Sequence, residues 1–230
     1  MTDDGFQIPT DWTFKTADVA AGFDDHVREQ LPWYDIATAS VAHVIRHYLP
    51  DGGLMYDIGA STGNIGRSVA DTLKNRQATL IPIESSTPMA ALYSGPGRVV
   101  IADAAQIDFQ PFDVCVLFLV TMFMPVSSRS RLLEKLAEKV RPGGCIIIFD
   151  KFDDDSLSGY ARTMLHRLTL AGKVANGVPF RQIIQKELSL AGSQRPLDIH
   201  YFRAAFPSAF EIFKFGEFSG WVIEAERITP

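Results

Sequence analysis

The chain has 230 residues, 47% of them hydrophobic and 21% charged, so it is long enough to bury one full core. Seventeen glycines and thirteen prolines are ordinary counts and exclude a disordered or collagen-like polymer. With 27 acidic against 22 basic residues the net charge is −5, and the absence of a Lys/Arg block argues against a dedicated polyanion binder.

Residues 1–15 show no periodicity and read as an arm. The opening Met1-Thr2-Asp3-Asp4-Gly5 lacks an apolar signal stretch. From Thr16 to Tyr48 apolar residues recur at helical spacing: Val19, Phe23 and Val27, then Ile36, Val41, Val44 and Ile45, with a break at Leu31-Pro32-Trp33. After the turn cluster Leu49–Gly53, short apolar runs alternate with amphipathic stretches. The runs are Leu54–Ile58, Thr79–Ile83, Val99–Ala102, Val114–Leu119 and Cys145–Phe149. Cys115 and Cys145 lie inside two of them and read as buried, reduced thiols in neighbouring strands. The longest apolar stretch, Val114–Val126, is too short to span a bilayer. The expectation is a soluble, cytoplasmic protein with no membrane partner.

Ser127–Val140 is the clearest helix, with Leu132, Leu133, Leu136 and Val140 on one face, Ser127 or Ser128 as cap and Arg141-Pro142-Gly143-Gly144 as stop. Ser156–Gly172 reads as a helix capped by Asp155 or Ser156, and 173–206 as a helical, loop-rich stretch. Residues Phe210–Glu224 alternate around a glycine turn, a β-hairpin closing the sheet. The expected fold is α/β: a Rossmann-like, seven-stranded, mostly parallel sheet with an antiparallel last strand, an N-terminal helical lid and a helical insertion after the fifth strand. A single domain over 1–230 divides into a lid (1–50), a core (51–150), an insertion (151–206) and a closing hairpin (207–230). Ligand should bind across the carboxyl ends of the first, second and fourth strands.

The sharpest motif is Tyr56-Asp57-Ile58-Gly59-Ala60-Ser61-Thr62-Gly63-Asn64-Ile65-Gly66, a strand end, a glycine turn and a helix start. Dinucleotide loops use a G-x-G start so that pyrophosphate sits on the helix N-terminus. Here the first two glycines are four apart and Asp57 precedes them, which disfavours pyrophosphate and favours a ligand with an ammonium group. Glu84 ends the second strand, where it can accept both hydroxyls of an adenosine ribose, each charged hydrogen bond contributing roughly 1.5–3 kcal/mol. Asp103 follows the third strand, within reach of an adenine amino group. Each acid alone reads as a cap or a solvated loop residue; three at successive strand ends beside a glycine loop form a pattern.

Asp57, the glycine loop, Glu84 and Asp103 resemble the class I S-adenosylmethionine (SAM)-dependent methyltransferases over about residues 50–150. The resemblance implies that Gly59, Ala60, Ser61 and Gly63 flank the methionine part of SAM, Glu84 and Ser85 the ribose, and Asp103 and Ala104 the adenine. Leu119 would line the reacting face, and S-adenosylhomocysteine (SAH) would be the product. Over most of the chain the sequence is similar to the carboxy-SAM synthases of tRNA wobble-uridine modification. The similarity is carried by Phe23-Asp24-Asp25-His26-Val27, Leu31-Pro32-Trp33-Tyr34, Arg141–Gly144 with Phe149-Asp150-Lys151-Phe152, Ala175-Asn176-Gly177 and Gln185-Lys186. It places Tyr34 over the cofactor and implies a homodimer. Two positions depart from that family. Glu187 replaces the arginine that holds the extra carboxylate of carboxy-SAM, and Phe118 stands where the family has an asparagine. A carboxylate facing a carboxylate is repulsive in a desolvated pocket; Arg181 or Arg195 would have to compensate.

His43 and His47 have the spacing of two metal ligands but no third partner, and Asp153-Asp154-Asp155 suits a solvated helix N-terminus, so no metal is expected. Met122, Phe123 and Met124 follow the fourth strand, either as core or as an acceptor wall. Tyr160, His166 and His200 are possible bases. The expected function is SAM-dependent methyl transfer, to a small molecule in preference to a flipped-out nucleobase. The alternatives are a carboxy-SAM synthase using SAM and prephenate, and a non-catalytic SAM-fold module.

Overall fold

The computed structural model of the chain describes residues 20–153, 159–190 and 194–225. Helices α1 (Phe23–Gln30) and α2 (Tyr34–Tyr48) precede β1 (Leu54–Ile58), α3 (Asn64–Ser68), α4 (Ala70–Asn75), β2 (Thr79–Glu84), α5 (Thr87–Ala91) and β3 (Val100–Ile101). Then come β4 (Phe112–Phe118), α6 (Val126–Lys139), β5 (Val140–Asp153), α7 (Gly159–Ala175), α8 (Phe180–Leu190), β6 (Leu197–Asp198), α9 (Ile199–Ala205), β7 (Phe210–Phe215) and β8 (Phe218–Glu224).

Seven strands run across the sheet in the order β3-β2-β1-β4-β5-β8-β7, and the two-residue β6 adds an eighth beside the end of β5. The pairs from β3 to β5 are parallel, whereas β8 runs antiparallel to both β5 and β7. The strand order reverses between β1 and β4, leaving a crevice at their carboxyl ends, where open α/β sheets bind ligands.

Helices cover both faces, so central strands are buried on both sides and read as continuous apolar runs; every residue of β4 is buried. Val41 and Ile45 of α2 pack with Met55, Val114, Val116 and Ile147 on one face. Leu132, Leu133 and Leu136 of α6 pack with Ile58, Leu117, Ile146 and Ile148 on the other. Cys115 and Cys145 are free and buried, but on opposite faces: Cys145 pairs in register with Val114, one residue off Cys115. Burial pushes both thiols up.

Several local expectations change. The stripe of α2 that meets the sheet is Tyr34, Ala37, Thr38, Val41, Ala42 and Ile45, which turns Ile36 outward to 64% exposure. Neither Ser127 nor Ser128 caps α6. Pro125 is its N-cap residue, and the Pro125 carbonyl accepts from the Ser128 N–H at 2.9 Å. Residues 141–144 lie inside β5, because Val140 already pairs with Phe112; Arg141 there bonds Asp113 at 2.7 Å. Helix α7 runs past Gly172 to Ala175. The expected cap at Asp155 or Ser156, the acidic pair Asp154-Asp155, and Val19 lie outside the described residues. None of the described helices is long and apolar enough to cross a membrane.

Candidate functional site

The β1–α3 turn is built by backbone. The Gly59 and Ala60 N–H groups both donate to the Ile83 carbonyl, at 2.8 and 2.9 Å, and the Gly63 N–H donates to Ala60 at 2.8 Å. Gly59 and Gly63 have φ of +70° and +99°. A Cβ at Gly59 would lie 2.4 Å from a Val120 methyl, and one at Gly63 would lie 2.7 Å from the Gly95 backbone nitrogen. Only glycine fits both positions. Ser61 between them also takes a positive φ, +50°.

Two carboxylates sit beneath this turn with different tasks. Glu84 ties the turn to the segment after β2: Oε2 accepts from the Ser61 N–H at 2.9 Å and Oε1 from the Ser86 N–H at 2.7 Å. Asp57 is 1% exposed, and its Oδ2 has no hydrogen-bond partner among the described residues. Burial, then the nearby Glu84, raises the Asp57 carboxyl to about 8. A buried acceptor in this state lacks a donor; an ammonium or hydroxyl group of a ligand supplies one. The cradle therefore fits SAM on its own chemistry, a tight backbone turn over an unsatisfied carboxylate.

The cradle opens into a cavity of about 920 Å³, near the upper end of the roughly 300–1,000 Å³ common for small-molecule sites. It brings together Tyr34, Asp57, Gly59, Ala60, Ser61, Glu84, Ser85 and Leu119. Gly63 supports the turn from behind. Asp103 and Ala104 stand apart: Asp103 is exposed and caps a 3-10 turn through the Ala105 N–H at 2.9 Å, and Ala104 is buried in the core. Leu119 at the end of β4 has φ +59°, a left-handed conformation that costs a branched residue energy and is held by its N–H bond to the Phe149 carbonyl at 2.7 Å. Tyr34 is buried, edge-on to Phe118 at 5.5 Å, with the Arg28 guanidinium 5.3 Å above its ring.

Beyond β4 the wall is apolar. Met122, Phe123 and Met124 line the cavity on a turn held by Asp150, which accepts from the Thr121 hydroxyl at 2.5 Å and the Met122 N–H at 3.2 Å. Burial raises Asp150 to about 6 against those bonds. Helix α1 closes over the cradle: Asp24 accepts from the Thr62 hydroxyl at 2.6 Å and from Arg67 at 3.1 Å, and Arg28 donates to Asn64 at 3.3 Å.

The far wall, from α1, α7 and α8, carries groups that sequence reasoning gave no role. Lys186 Nζ lies 2.6 Å from His26 Nε2, and Lys173 lies 3.7 Å from Glu187. Burial lowers His26 to about 3, with Lys186 and Lys173 adding to the shift, and lowers Lys186 to about 7, with Lys173 adding and Glu187 opposing. Glu187 does face the cavity, balanced by Lys173 and by His166 at 3.8 Å. Neither Arg181 nor Arg195 compensates it; both are exposed and line no part of the cavity. His43, His47, Tyr160 and His200 are exposed outside the cavity. The only signal for the far wall was the family-like Phe23–His26 and Gln185-Lys186, since no spacing relates three separate helices.

Comparison with known proteins agrees with this geometry. Residues 56–148 match the methyltransferase domain family. A carboxy-SAM synthase from Staphylococcus epidermidis is 24% identical over 196 residues, covering 83% of this chain and 85% of that one. The synthase named for Photobacterium profundum is 29% identical over 225 residues, covering 90% of each. Among solved structures, human N-acetylserotonin methyltransferase in complex with SAM aligns with a TM-score of 0.57 at 13% identity, over 93% of this chain and 57% of that one. An O-methyltransferase family protein from Burkholderia thailandensis gives 0.57 at 14% identity, over 92% and 61%. The chain thus spans about three-fifths of the length of these two structures. With its glycine cradle, buried carboxylates and sheet order, the chain is a protein of the class I SAM-dependent methyltransferase fold that resembles the carboxy-SAM synthases.

Proposed function

We propose that the chain binds SAM in the glycine cradle and transfers its methyl group to a small-molecule acceptor in the apolar half of the cavity, releasing SAH. The carrying observation is the unsatisfied Asp57 Oδ2 at the cavity floor, which an ammonium donor completes. Glu84 and Ser85 then face the ribose. SAM supplies an electrophilic methyl on a sulfonium, whose transfer depends on in-line approach in a dry site. Leu119, Met122, Phe123 and Met124 exclude water from that approach, and Tyr34 and Phe118 bound it.

The test is to denature freshly purified protein, weigh any released small molecule, and titrate SAM and SAH into the emptied protein. Release of SAM or SAH, or saturable binding of either that Asp57→Asn weakens, supports the reading. A wild type that binds neither overturns it. Carboxy-SAM synthesis from SAM and prephenate is the second reading, favoured by the relatives' names and by the lysines beside Glu187. A released species heavier than SAM by one carboxylate would put it first. A cytoplasmic homodimer belongs to the same proposal: Leu168, Phe180 and Leu188 on α7 and α8 are 62–72% exposed, which supports a second copy as their cover. Sedimentation at a single monomer mass would remove the dimer.

A further inference from the structure

We propose that Lys186 and Lys173, with His26, form an anion-binding corner that takes the carboxylate of the acceptor, an inference that rests on the methyl-transfer reading. Three elements converge there from separate parts of the chain: α1 brings His26, α7 Lys173 and α8 Lys186, and all three side chains line the cavity. The Lys173 side chain is only 12% exposed, and the 2.6 Å approach of Lys186 Nζ to His26 Nε2 fixes the second ammonium group. Glu187 is an acid beside them, and it is divided between Lys173 at 3.7 Å and His166 at 3.8 Å.

The cavity is therefore polarised. Glu84, joined by Asp57 once a bound ammonium ionises it, gives the cofactor end its negative charge, and Lys173 and Lys186 bring cationic groups to the opposite end, with Met122, Phe123 and Leu165 lining the apolar space. A positively charged cofactor at one end and an anionic acceptor at the other match this field. Burial lowers both lysines, and the Lys173 charge adds to the lowering of Lys186, so the corner holds cationic groups that disfavour each other. A carboxylate bridging them replaces that repulsion by charge-assisted hydrogen bonds.

The experiment is calorimetric titration of matched probes, benzoate against benzamide and phenylacetate against phenylacetamide, into SAH-saturated protein. The expected result is carboxylate binding at least about tenfold tighter than amide binding in the wild type. Lys186→Gln and Lys173→Gln should each erase most of that preference, and Lys186→Arg should keep it. Amides that bind as well as the acids, no binding by either acid, or a preference that survives both glutamine variants overturns the proposal. The wild-type comparison decides the matter even where a variant fails to fold. SAH is titrated first and separately: a wild type that binds no SAH sinks the methyl-transfer reading, and the carboxylate preference is then read in the unliganded protein.

Discussion

The two ends of the cavity are held in place by different physics. The cofactor end is anchored in the sheet: Asp57 and Glu84 end adjacent parallel strands in fixed register, Gly59 and Ala60 are bonded to the backbone of β2, Ser61 to the Glu84 side chain and Gly63 to Ala60. The acceptor end hangs on a helical pair. Among the described residues α7 buries no side chain and α8 buries only Ile183, so charged contacts and partial burial position Lys173, Lys186 and Glu187. A rigid cradle can serve one cofactor, while a lightly packed wall can change its acceptor without disturbing the core.

The strongest test of that contrast is Ile183→Ala. Removing the one buried side chain of α8 should cost about 2–4 kcal/mol. Hydrogen exchange should locate the loss in residues 159–190, with SAH affinity nearly unchanged. Uniform loss across the sheet would show that the two ends are one packing unit.

Asp57→Asn should weaken SAM binding by about 2–3 kcal/mol, the scale of a charged hydrogen bond, measured by calorimetry. Its pH dependence sharpens the point. In the unliganded protein Asp57 titrates near 8, raised from 3.8. A bound ammonium favours the ionised carboxylate, so binding releases a proton below that value. Wild-type affinity should rise with pH by up to about tenfold per unit until about pH 8 and then level, while Asp57→Asn removes the slope. The same shift makes the folded state bind more protons than the unfolded one between those values. Stability of the unliganded wild type should therefore fall as pH rises from 3.8 to about 8, less so in Asp57→Asn.

Gly59→Ala should cost about 1–3 kcal/mol through its positive φ and the clash with Val120, seen as a lower denaturation midpoint. Glu187→Gln should change stability least, by about 0.5 kcal/mol or less, because its ion pairs are long and partly exposed. A large destabilisation there would mean that the charges, not Ile183, hold the insertion.

The sheet and its cradle were legible because their signals are local. A strand buried on both faces must be a short apolar run, so β1 was placed at Leu54–Ile58 from sequence. A turn with two left-handed positions against neighbouring backbone must use glycine, so Gly59 and Gly63 announced it. Boundaries fixed by pairing were not legible: β5 begins at Val140 because Phe112 is opposite it, which no property of residues 140–144 reveals.

The sequence by itself determined the alternation of strands and helices, the glycine turn and the acids at the ends of β1 and β2 and after β3, because backbone sterics and burial act over a few residues. Only the tertiary structure decided that Asp57 Oδ2 is left without a partner while each Glu84 oxygen accepts a backbone N–H, that Asp103 stands outside the cavity, and that Ile36 faces outward. It alone brought His26 to Lys186 across 160 residues. Charge and hydrogen-bond state depend on what folds into contact from distant parts of the chain, and a one-dimensional pattern carries no record of that distance.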